Sequence, residues 1–119
     1  MLKLKNKSFK IITENFKEKA RPIDRERFNY HFDHAQPEKI LKEIKKYQNK
    51  DGGFGNALEP DFRLPLSTPM ATSIALRYLR NLDKNSYAQD MIKKAISYLE
   101  ESYKKKKKGW YAVRKEVND

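Results

Sequence analysis

Apolar residues in this chain recur mainly at helical intervals. Phe9, Ile12, Phe16 and Ala20 fall on one face of the segment 6–20, with Lys and Glu between them. Pro22 disfavours helix at Arg21 and can itself begin a new turn. Residues 23–35 contain Ile23, Phe28, Tyr30 and Phe32, a pattern that fits either a short helix or an irregular aromatic strip. From Pro37 the pattern is clearer, because Ile40, Leu41, Ile44 and Tyr47 make one continuous stripe. Asp51-Gly52-Gly53 then predicts a stop near Lys50. Pro60 and Pro65 keep the following connection extended or turned as far as residue 66.

Ser67-Thr68-Pro69 predicts the next helix start. A hydroxyl can accept from an open amide there, and proline occupies a position whose amide needs no partner. Ala71, Ile74, Ala75, Tyr78, Leu79 and Leu82 follow on one face. Ser86-x-x-Gln89 has the form of a capping box, and Ala88, Met91, Ile92, Ala95, Ile96 and Leu99 continue the period towards Tyr103. No persistent two-residue alternation competes, so the expectation is an all-α chain: an N-terminal helical extension over 1–35, then helical hairpin repeats over 36–119. The repeat rests on matching Gly53-Phe54 to Gly109-Trp110, a period of 56 residues.

Charge changes this picture little. The net charge is +11, but residues 31–82 are nearly balanced, with 8 basic and 6 acidic groups, and five of the later lysines form one run, Lys104–Lys108. Lysine outnumbers arginine 20 to 7, and an ammonium lacks the fork that reads base edges. A lysine-biased solvated surface is expected, and a nucleic-acid partner is not. The chain has no cysteine, which excludes disulfides, thiolate metal sites and cysteine nucleophiles within it. It shows no signal-peptide apolar core and no long apolar run of membrane-spanning length. These features lead to the expectation of a cytoplasmic protein without a transmembrane segment.

The stretch QNKDGGFG, Gln48 to Gly55, resembles the Q-x-x-D-G-G-[FW]-G turns of the α/α-toroid superfamily, which includes squalene and hopene cyclases and protein prenyltransferase β subunits. The longer stretch GFGNALEPDFRLPLSTPMATSIAL is similar to a loosely described bacterial prenyltransferase-like branch. The resemblance implies part of an α/α toroid, in which Gln48 braces a neighbouring helix end and Phe54 wedges beneath it. It also implies an N-terminal fragment of a larger ring, with self-association or a partner chain completing it. The cyclase acid motif D-x-D-D is absent, as are the prenyltransferase zinc ligands.

Glu59, Asp61 and Arg63 form the leading candidate catalytic or ligand-binding cluster. In an extended stretch all three would project to one side, where two carboxylates can divide acid and base duties, bind a metal or recognise sugar hydroxyls. The competing reading is an ion-paired loop in which Arg63 neutralises one carboxylate. An enzyme of this kind would act on a small-molecule ligand, an isoprenoid or a carbohydrate; the alternative is a non-catalytic interaction scaffold or a fragment without independent activity. Asp51 is expected to accept amide hydrogen bonds in the turn. His31 and His34 lie three apart, but no third ligand accompanies them. Trp110 is expected as a core anchor, with a cleft-lining role as the other reading. No nucleotide-binding motif is present and no cofactor is expected.

Overall fold

Every regular element in the computed structural model is helical. The model describes residues 5–103, 109 and 110. Among them lie α1 (Asn6–Lys19), α2 (Pro22–Phe32), α3 (Pro37–Lys45), α4 (Pro69–Leu79) and α5 (Ser86–Ser102), with a 3-10 turn at Arg80–Leu82 after α4. The all-α expectation is met. The chain divides into two compact units, Met1–Glu43 and Ile44–Asp119.

In the first unit, α1 ends where its last free amide, that of Ala20, closes on the Phe16 carbonyl before Pro22. Pro22 opens α2, so the aromatic strip is a helix. Phe28 and Phe32, one turn apart, face the α1 rings: centroids lie 5.2 Å apart for Phe16–Phe28 and 6.4 Å for Phe9–Phe28. Ile23 is fully buried, and Ile40 and Leu41 of α3 are buried too. Helix α2 ends in a left-handed residue, His34, at φ 54°, and the Ala35 amide donates back to the Asn29 carbonyl.

In the second unit, α4 packs on α5. The α4 start follows its sequence signal, since the Thr68 side chain accepts from the Ala71 amide at 3.0 Å. The α5 start does not. The cap is Asn85, one residue earlier than the capping box requires, and its side chain accepts from the Tyr87 and Ala88 amides. Gln89 instead donates to the Asp83 carbonyl at 2.9 Å.

Helix α3 also stops earlier than expected, at Lys45. The Tyr47 and Gln48 amides make tight bonds three residues back, and the Tyr47 carbonyl then accepts from Gly55. These bonds turn the chain into a loop that doubles back on itself. Two isolated antiparallel bridges, Gln48 with Phe54 and Phe54 with Thr68, tie the loop to the approach of α4.

The helical-hairpin repeat and the toroid built from it are not what the described residues form. The repeat equated two glycine–aromatic pairs, and their rings do different jobs. Phe54 is 0% exposed and lies within the bridged loop, whereas Trp110 is 47% exposed. The Trp110 indole donates to the Leu99 carbonyl of α5 and stacks edge-on with Tyr103, which makes it a helix-end cap and not a second wedge or a core anchor.

Candidate functional site

The loop from Gln48 to Thr68 and the first turn of α4 are laced together by side-chain hydrogen bonds. Gly52, at φ 88°, allows the left-handed turn, and Asp51 accepts from the Gly53 amide at 2.9 Å and the Ser67 hydroxyl at 2.7 Å. Asn49 donates to Ser67 and to the Pro65 carbonyl, and Asn56 donates to Asn49. The Phe54 amide donates to the buried Thr72 hydroxyl at 2.9 Å, and that hydroxyl donates to the Thr68 carbonyl. The Gln48 amide reaches both the Gly52 carbonyl, at 3.0 Å, and the Met91 carbonyl of α5, at 3.2 Å. Gln48, half-buried, and Asp51, at the exposed edge of the turn, are therefore bracing groups engaged by the loop's own backbone and hydroxyl.

Beyond this clasp the chain passes through Asn56 and Ala57, both left-handed at φ 57° and 61°. Two consecutive non-glycine residues in that region are uncommon. The candidate cluster follows. The Phe62 amide donates to the Glu59 carbonyl at 3.0 Å, so Glu59-Pro60-Asp61-Phe62 is a turn with proline at its second position. The strand-like alternation that would align Glu59, Asp61 and Arg63 is replaced by this bend. Asp61 sits exposed at the tip and Arg63 is exposed beyond it, while Glu59 is half-buried.

Glu59 lines an apolar recess with Gly55, Leu58, Phe62, Leu64, Leu66, Thr68 and Ala71. Its Oε2 is buried and meets no hydrogen-bond donor. The recess has room for about 10 Å³, enough for one water. As it stands, this recess can hold a water against the Glu59 carboxylate.

The two histidines stand in different settings. His31 lies on α2 against the Tyr30 ring, whereas His34 serves the backbone of the helix end. Among the described residues no group of three His, Cys, Asp or Glu side chains could hold a metal ion. Lys104–Lys108 and Tyr111 lie outside the described residues.

A second candidate was hidden in what reads as a core stripe. Helix α1 buries none of its residues. Phe9, Ile12 and Phe16 are all exposed, as is Phe32 of α2, whose ring centroid lies 6.3 Å from that of Phe9. The spacing correctly marks these residues as one face. It could not say that a single neighbouring helix would leave much of that face in water.

Comparison of the chain with protein-family models, curated proteins and solved structures finds no match. The resemblance to squalene and hopene cyclases and prenyltransferase β subunits is therefore not upheld. It rested on the Gln48–Gly55 turn and the stretch that runs on to Leu76, and a left-handed glycine passing close to a helix backbone, as Gly52 does at Lys94, calls for such a turn in any fold.

Proposed function

We propose that the chain is a non-catalytic interaction module whose N-terminal helical extension, residues 1–35, presents the contact surface. The observation that carries this reading is the joint exposure of Phe9, Ile12, Phe16 and Phe32 on α1 and α2. A contiguous apolar patch of this kind marks an interaction site, because a partner that covers it removes apolar surface from water. Such a module works by adhesion, with no bond made or broken.

A small-molecule site at Glu59, Asp61 and Arg63 is the second reading, favoured by the unpartnered Oε2 of Glu59. A ligand N–H or O–H would satisfy that oxygen. The ligand would have to widen a recess the size of one water, which puts this reading second.

The two readings separate on two variants of the full chain expressed in cells. Ile12→Asp should shift the chain from bound fractions towards free chain, with far-UV circular dichroism unchanged. Glu59→Gln should leave its distribution as in the wild type. The reverse pattern, release by Glu59→Gln and none by Ile12→Asp, would remove the interaction reading.

A further inference from the structure

Resting on that reading of the α1–α2 face, we infer that its partner is the interfacial zone of an anionic lipid bilayer. The argument lies in how charge is sorted around α1. At 3.6 residues per turn, Phe9, Ile12 and Phe16 share one line along the helix. Lys7, Ile11, Glu14 and Glu18 share the line opposite, so both carboxylates of the helix stand on the far side. Lys19 borders the apolar line on one flank and Lys17 on the flank turned towards α2, while Lys5 continues the line at the helix start.

An apolar strip edged by lysines, with the acids turned away, matches the layering of a bilayer surface. Rings and branched aliphatics sink to the headgroup–acyl boundary, while lysine stems run back up to the phosphates. Phe32, 60% exposed, widens the strip beyond a single helix. Lys17 is already engaged by Asp33 and lies 5.8 Å from the Phe28 ring centroid, so Lys19 and the N-cap residue Lys5 are the groups that would meet phosphate. No helix of the described residues is long and apolar enough to cross a membrane, which leaves α1 lying in the surface plane. The net charge of +11 draws the whole chain towards an anionic surface and opposes pairing of two copies.

The test is co-sedimentation of the full chain with large unilamellar vesicles of phosphatidylcholine, with and without phosphatidylglycerol. The wild type should partition at least about tenfold more strongly into the anionic vesicles. Ile12→Asp should lower that partition by at least about tenfold. Ile11→Asp, at the neighbouring position, should leave it within about twofold, because Ile11 is exposed on the opposite line. Lys5→Gln and Lys19→Gln should each lower it about fivefold. If Ile12→Asp disturbs helicity, the double variant Lys5→Glu, Lys19→Glu supplies the same test with every apolar side chain kept.

Equal effects of Ile11→Asp and Ile12→Asp would overturn the proposal, as would a wild type that sediments with neither vesicle. The interaction reading fails separately. Suppose the wild type ignores vesicles but shows a mass in sedimentation equilibrium that Ile12→Asp reduces to the monomer. The face then docks, and its occupant is a second copy and not lipid. If Ile12→Asp matches the wild type in both measurements, both conclusions fall.

Discussion

At Gly52 two demands meet on one residue. Its φ of 88° lies where an L side chain is strained, and a Cβ there would stand 2.3 Å from the Lys94 carbonyl oxygen of α5. That oxygen belongs to helix backbone and cannot swing aside, so the loop or the helix would have to shift. Gly55 is held in a similar way by the Leu66 carbonyl oxygen, 2.2 Å from its Cβ position, but without a positive φ. Gly52→Ala should therefore destabilise the fold by at least about 2 kcal/mol, the left-handed cost plus the clash. Urea unfolding followed by circular dichroism measures this, and a loss below half that value would mean the loop can move off α5. The glycine pair was legible as a turn because permissive residues after a helix have few other uses. Its closeness to Lys94, and the Gln48 bond to Met91, were not legible, since no local pattern says which distant helix a loop will touch. Glu59 shows the same limit. Extended backbone would have aligned it with Asp61 and Arg63, and the Pro60 turn instead leaves Glu59 half-buried and the other two exposed.

Helices were the easiest elements to read, and their ends the hardest. Four of the five follow from a single apolar stripe. Helix α2 hid its period because it has apolar residues on two sides: Phe28 and Phe32 towards α1, and Ile23 with Tyr30 on the other. The α5 start was misread for a different reason. Ser86-x-x-Gln89 and Asn85 are adjacent cap signals, and only the backbone decides between them. Asn85 is extended, at φ −84° and ψ 133°, and Ser86 already belongs to the helix. Removing the true cap should cost more than removing the apparent one. Asn85→Ala should lower stability by about 1 kcal/mol, and Ser86→Ala by less than about 0.5 kcal/mol. Thermal melts of the two variants give the comparison. A larger loss for Ser86→Ala would place the helix start one residue later.

For the molecule as a whole, charge acts on folding and on docking with opposite signs. Lys and Arg number 27 against 16 Asp and Glu, so the folded chain gathers like charge into a smaller volume than the unfolded chain does. The ion pairs Lys17–Asp33, Arg21–Asp24 and Lys94–Asp90 are partly or largely exposed, and pairs of that kind add little. Salt screens both effects as the Debye length falls from about 30 Å at 0.01 M to about 3 Å at 1 M. Weakening the repulsion matters more here, because the net excess is +11 while these three pairs are open to water. The melting temperature should therefore rise as sodium chloride is added from low ionic strength, over the same range in which anionic vesicles release the chain. Sulfate should be avoided, because it stabilises most folds by exclusion from their surfaces and would mimic the result. A melting temperature that falls with sodium chloride would show that the ion pairs outweigh the repulsion. Vesicle binding unmoved by salt would show that the lysines edging α1 do not contact phosphate.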